Sequence, residues 1–279
     1  EPLFRELLQA RTAKLGADHP DTLKGKNNLA AVYAAQGKYD RAEPLYQEVL
    51  QARSAKLGPD HPDNLNSKHS LGCLYLAQGR YERAEPLLRE AVAGARRKLT
   101  LAHPRTQDYM RNLTDFYQRI GQPAKAEPLC HELAEFCKQQ AGADSPQYAA
   151  QLAALGTNLL AQTKCAEAEL VLRDCLAIRV KKEPDVWTTF NTKSLLGGAL
   201  AGQKKYGEAE PLLLQGYYGI KQVEAKIPKQ WKGLRLAEAL ERLVLLYDGW
   251  NNKEKAAEWR TKLEAQRDAE KKTDKPKQK

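Results

Sequence analysis

The chain has 279 residues, of which 42% are hydrophobic and 29% charged, and carries a formal net charge of +10. No apolar run is long enough to span a bilayer, which excludes a helical membrane protein. The five cysteines form no CxxC pair and are odd in number, so they read as thiols of a reducing, cytoplasmic compartment and argue against a disulfide scaffold.

The chain opens on Glu1-Pro2-Leu3, and the same tripeptide recurs behind an alanine at Ala42-Glu43-Pro44-Leu45. Further copies follow at 84–87 and 126–129, each 42 residues on, and the pairs His19-Pro20, His61-Pro62 and His103-Pro104 keep the same interval. Two independent markers with one period identify a repeat array. Residues 1–16 then read as the second helix of a repeat whose first helix lies upstream, so the sequence is expected to be a segment of a longer protein.

Repeats follow at about 18–58, 60–100, 103–141, 144–182, 184–224 and 234–270, and a basic, disordered tail at 271–279. In the second of these, a first helix is expected from Pro62 to Gln78, with Asp60 and Asp63 satisfying free N–H groups at its start. Gly79 supplies the left-handed turn that ends it. A second helix begins near Glu82 and buries Ala84, Leu87, Leu88, Ala91, Val92 and Ala95, one apolar stripe at helical spacing. The beat falters in three places. Thr163 stands where glycine is expected, the copy at Ala209 comes one residue early, and Ala257-Glu258 comes six late. The inserted residues are assigned to 219–233, as an extended second helix and a loop.

Leu71-Gly72, Tyr75, Ala84, Leu88 and Ala91 resemble the tetratricopeptide (TPR) pattern of Leu-Gly, Tyr, Ala and a large apolar residue. With the longer period, residues 27–50 and the LGPDHPD of 57–63 look like the kinesin-light-chain type of that repeat. The resemblance implies an all-α fold, an α-α superhelix of about five to six helical hairpins, with first helices on the concave side. It also implies a protein- or peptide-binding scaffold, of a kind common in bacterial multidomain proteins.

Site residues are therefore sought on the first helices. The candidates are Lys24, Asn27 and Asn28 in repeat one, and Asn66, His69 and Ser70 in repeat two. Repeat three adds Arg111, Asn112, Asp115 and Arg119, and repeat five Asn191. In TPR domains such asparagines hold a peptide backbone, because an amide donates and accepts at once; arginines receive carboxylates. Each residue taken alone reads more readily as an ordinary solvated one, and the groove is expected of the face as a whole. Ala150, Ala153 and Ala154 leave the middle of this face bare, which suits either an apolar side chain of a partner or tight packing of the chain itself.

Catalysis is not expected, since no nucleophile elbow, P-loop, dinucleotide fingerprint or zinc-hydrolase motif occurs. Histidines 19, 61 and 103 occupy the same turn in successive repeats, too far apart for shared ligation, and read as structural. Cys130, His131 and Cys137 lie on one second helix, where the two cysteines share a face and read as buried thiols, so neither metal nor cofactor is expected. The expected partner is a protein or peptide, another domain of the same chain included; one such arrangement is regulation of an attached serine/threonine kinase. Lys221, Lys226, Lys229 and Lys232 beside Trp231 suggest a nucleic-acid surface more weakly. Oligomeric state is left open by the sequence.

Overall fold

A computed structural model describes residues 1–273. Among them are thirteen α-helices: α1 (Pro2–Leu15), α2 (Pro20–Ala35), α3 (Tyr39–Leu57), α4 (Pro62–Ala77), α5 (Tyr81–Lys98), α6 (Pro104–Arg119) and α7 (Pro123–Ala141). After these come α8 (Pro146–Ala161), α9 (Cys165–Lys182), α10 (Trp187–Gly202), α11 (Tyr206–Gln222), α12 (Lys229–Gly249) and α13 (Lys253–Thr273). Among the described residues there is no strand. The helices form two compact units, Glu1–Leu129 and the residues from Cys130 on, which divide within α7.

Within the first unit α1 to α6 pack in sequence, and the first helices α2, α4 and α6 also touch one another. The second unit repeats this with α8 to α13, its first helices α8, α10 and α12 in contact. Consecutive second helices make no comparable contact, so in each unit the first helices lie on the inner side. This is the helical-hairpin solenoid expected from the repeat.

The local reasons are legible residue by residue. The Nδ1 atoms of His19, His61 and His103 accept the backbone N–H of Asp21, Asp63 and Arg105 at 3.2, 3.2 and 3.1 Å. A neutral imidazole has the lone pair that an N-cap requires. The carboxylates expected in that role are elsewhere: Asp63 contributes its backbone, and Asp60 receives the Arg97 guanidinium at 2.7 and 3.1 Å. Ser145 takes over the cap of α8, accepting from Tyr148 N–H at 3.1 Å, whereas Val186 leaves α10 without a side-chain cap. At the hairpin turns Gly37, Gly79 and Gly121 hold φ near +70°, at 71°, 71° and 69°. Thr163 (59°), Lys204 (64°) and Asn251 (59°) adopt the same left-handed backbone without being glycine.

Each second helix buries its motif alanine completely: Ala42, Ala84, Ala126, Ala168 and Ala209 are at 0% exposure. In the last hairpin the equivalent residue is Ala256, at 1%, and not Ala257, which is exposed. Backbone bonding fixes this register, because Ala256 N–H donates to Asn252 as Ala209 N–H does to Lys205. Facing these alanines, a Cβ on Gly72, Gly156 or Gly197 would meet Leu88, Leu172 or Leu213 at 2.9, 2.6 and 2.6 Å. Only glycine admits the leucine there.

The motif glutamate closes the seam between repeats. Glu43 accepts from the Tyr75 hydroxyl at 3.1 Å and from Arg80 at 2.6 Å, both in the next repeat. Glu85 likewise receives Tyr117 and Lys125, and Glu210 receives Tyr247 and Lys255. Where Leu200 replaces the tyrosine, Gln203 and Lys205 supply Glu169 at 2.7 and 2.8 Å. Even Glu1 binds Lys38, at 2.8 Å. The proline that follows the glutamate lies in the first turns, where it removes few helical hydrogen bonds.

Two expectations about the C-terminal part change. The insertion does not extend the second helix: α11 stops at Gln222, a 3₁₀ turn spans Glu224–Lys226, and the extra residues lengthen the start of α12. Buried Ile227 and the Pro228 cap set that start. Helix α13 continues through Thr273, beyond the expected end at 270, and residues 274–279 of the predicted tail lie outside the described residues.

Candidate functional site

On the inner face of the first unit, α2 presents Lys24 and Asn28 to solvent and half-buries Asn27, whose Oδ1 is buried without a partner. Neither Lys24 nor Asn28 makes a hydrogen bond or ion pair among the described residues. Lys26, two residues from each of them, is buried and bound to Glu48, which is why it is not part of that open row. On α6, Arg111 and Arg119 are exposed. Arg111 reaches Asp108 at 3.1 Å, a surface pair of small energetic worth that a carboxylate ligand displaces readily. Asp115 is exposed as well, with the Arg119 charge nearby.

Between α4 and α6 the candidates meet one another. The Asn112 amide donates to His69 Nε2 at 2.9 Å, and the His69 ring stacks on Tyr109 at 4.3 Å. The Tyr109 hydroxyl reaches Asn66 Oδ1 at 3.5 Å. Asn112 is therefore already engaged within the chain, so Asn28 is the freer of the two amides.

Cys73 Sγ lies 3.5 Å from the same His69 nitrogen, which assembles a cysteine, a histidine and an asparagine. A cysteine nucleophile needs a thiolate stabilised by an imidazolium whose second nitrogen is held by the third group. Here both neighbours converge on Nε2. Burial also drives the imidazole down to about 4 and the thiol up to about 11, so both stay neutral at physiological pH. This arrangement packs and hydrogen-bonds; it does not activate sulfur.

Beside it opens a recess of about 230 Å³, floored by Ala34, Leu74 and Ala77 and walled by Tyr39, Tyr46, His69, Ser70 and Cys73. Tyr46 occupies the second-helix position that is leucine at Leu88, Leu172 and Leu213, and Ala30 stands where Gly72 does. Sequence reasoning missed Tyr39 and Tyr46 because both lie on a second helix; the departure from leucine is the signal that finds Tyr46.

In the second unit the inner face differs. Asn191 is only 8% exposed and its Oδ1 is buried without a partner, so it is removed from the candidate site. It lies on α10, against which α12 packs: Arg242 of α12 donates to Ser194 at 3.1 Å, and a Cβ placed on Gly198 would meet the Arg242 side chain at 3.2 Å. Ala150 and Ala154 of α8 are exposed, as the bare stretch predicts. The basic group near 221–232 is largely occupied. Lys232 pairs with Glu224 at 2.9 Å, Lys221 sits 5.9 Å from the Tyr217 ring, and Arg235 covers Trp231 at 4.9 Å. One face of the Trp231 ring is thus taken, and the residue stays 39% exposed. Among the described residues no three His, Cys, Asp or Glu side chains gather closely enough to hold a metal ion, and no helix is long and apolar enough to cross a membrane.

Comparison with known families places a tetratricopeptide repeat match at residues 23–97 and 106–179, more than half of the chain. Among solved structures, a kinesin light chain of Podosopora anserina with nearly identical TPR-like repeats is 25% identical, with a TM-score of 0.65. That match covers 75% of this chain and 99% of the other. BtubC (BKLC) from P. vanneervenii is 20% identical with a TM-score of 0.62, over 82% and 89% of the two chains. YrrB, described as a TPR protein with an unusual peptide-binding site, is 14% identical with a TM-score of 0.52, over 76% and 91%. Among curated proteins no sequence matches.

Proposed function

Because the chain belongs to the tetratricopeptide repeat family, with repeats of the kinesin-light-chain type, we propose that it works as a protein-binding scaffold without turnover. A partner segment lies along the inner face of the first unit, against α2, α4 and α6. The observation that carries this reading is the contrast between the two edges of the repeats. At the seams, motif glutamates and their cations are consumed by one another, whereas Lys24 and Asn28 stand exposed without partners on the inner face. An amide free on both its donor and its acceptor suits an extended peptide backbone, and Arg111 and Arg119 suit an acidic side chain. The peptide site in the name of the YrrB structure supports the same use of a similar fold.

A peptide-library screen against the whole chain tests the proposal. Selected ligands are expected to lose about five- to tenfold in affinity in Asn28→Ala or Arg111→Ala, the loss of about one hydrogen bond. Ligands that bind both variants unchanged place the site elsewhere.

A further inference from the structure

We propose that Thr100, in the turn between α5 and α6, is the phosphate acceptor for a protein kinase that selects arginine and lysine just ahead of its target residue. This goes beyond the scaffold reading and does not rest on it. Three other turns between repeats have glycine at this place, where Gly16, Gly58 and Gly142 hold φ at 89°, 84° and 90°. Thr100 stands 42 residues after Gly58 and takes a left-handed backbone at 63°. A β-branched residue is poorly suited to that conformation, and such strain points to a role other than folding. The side chain is exposed. Thr163 is strained and exposed too, but none of the three residues before it is basic.

The charge of the array changes at the same turn. Residues 96–105 hold Arg96, Arg97, Lys98 and Arg105 and no acid, whereas the matching stretches carry one lysine with Asp18 and Asp21, with Asp60 and Asp63, or with Asp144. Ala102 replaces an aspartate that elsewhere pairs with a second helix, Asp18 with Lys56, Asp60 with Arg97 and Asp144 with Lys181. Arg105 stands where Asp21 and Asp63 do. Those acids would repel both a phosphate and the acidic surface by which a kinase reads arginine; this turn alone has lost them. Among the seryl and threonyl residues of the chain, only Thr100 and Thr114 have arginine three places before them, at Arg97 and Arg111. Thr114 is 6% exposed and closed to an enzyme. Thr100 has Lys98 as a second cation.

The turn can be drawn into an enzyme. Among the described residues, the N–H groups of Thr100, Leu101 and Ala102 donate no backbone hydrogen bond, so the segment extends once the last turn of α5 opens. The Arg97–Asp60 pair that parts with it lies at the surface, where such pairs are worth little. The Thr100 hydroxyl oxygen then forms a bond to the γ-phosphorus of ATP as the bond from that phosphorus to the departing ADP oxygen breaks. The hydroxyl proton passes to a carboxylate of the kinase.

The test incubates the folded whole chain with ATP, magnesium and the catalytic domain of an arginine-directed serine/threonine kinase in native buffer, followed by intact mass and peptide mass spectrometry. One phosphate per chain is expected, at Thr100. Thr100→Ser keeps it. Thr100→Gly loses it while the urea midpoint is unchanged or raised, because glycine takes the turn without strain; the loss is then of the acceptor and not of the fold. Arg97→Gln slows incorporation about tenfold, the loss of one charge-assisted contact with the kinase. No incorporation, incorporation that persists in Thr100→Gly, an unchanged rate in Arg97→Gln, or phosphate at buried Thr114, which marks unfolded chain, overturns the site. None of these outcomes bears on binding at Asn28 or Arg111.

Discussion

A left-handed backbone costs a side chain with a Cβ about 1–2 kcal/mol, and a β-branched one is the worst placed to adopt it. Thr163 adopts it at φ 59°, at the turn where Gly37, Gly79 and Gly121 do so without strain. Thr163→Gly is therefore expected to stabilise the chain by about 0.5–1 kcal/mol, after allowing for the greater freedom of glycine in the unfolded chain. A rise in urea midpoint at constant slope checks this. At this scale the sequence was partly legible. The missing glycine at 163 left the turn itself unchanged, and the spacing of the three histidines marked turn residues. Their role as N-caps was not legible, because histidine is not among the preferred caps and Asp60 and Asp63 beside it are carboxylates. Asn191 misled for another reason: an amide at helical spacing looks the same whether it is buried or open.

At the scale of helices, the seam glutamates make stability depend on acidity. Hydrogen bonds from Lys205, Gln203 and Arg173 hold the Glu169 carboxyl down at about 2, against an ordinary 4.5, and Lys255 with Tyr247 lowers Glu210 in the same direction. A carboxyl depressed in the folded state adds stability above its unfolded value, and that stability is lost as pH falls from about 4.5 towards 2. The urea midpoint is expected to drop across that window. Glu169→Gln removes about 1–2 kcal/mol near neutrality and flattens its acid limb. An unaltered limb in the variant contradicts the assignment. The repeated Ala-Glu-Pro-Leu was plain in the sequence and its alanine was rightly read as packing, but the glutamate's partners lie some 37 residues on, in Arg80 for Glu43, so no local pattern exposes them. The misplaced last copy has the same cause. Ala257-Glu258 looked like the motif, whereas helix register selects Ala256 for burial.

For the molecule as a whole, the repeat makes stability a sum over neighbours, so damage should stay local. Gly156→Ala places a methyl 2.6 Å from Leu172, an overpacking worth about 1–3 kcal/mol. Its effect on amide hydrogen exchange is expected in α8, α9 and α10, with α2 to α4 keeping their protection. Uniform loss across both units contradicts an array of nearest-neighbour interfaces. The fold class was almost wholly legible, because a period needs only a few conserved distances in the sequence to be seen. The site was legible as a face but not as a set of contacts: whether Asn28 is free and Asn112 is engaged depends on where His69 of the preceding repeat points.

The seam also gives the chain a direction. Glu1, Glu43, Glu85, Glu169 and Glu210 each belong to one repeat and are completed by the next, while the last second helix has Ala257 at that place. A substitution at such a glutamate leaves the tyrosine and the cation of the next repeat without their acceptor. The heritable module is then the junction and not the hairpin: a repeat copied whole brings one half of each of two junctions, and it fits wherever its neighbours carry the matching halves.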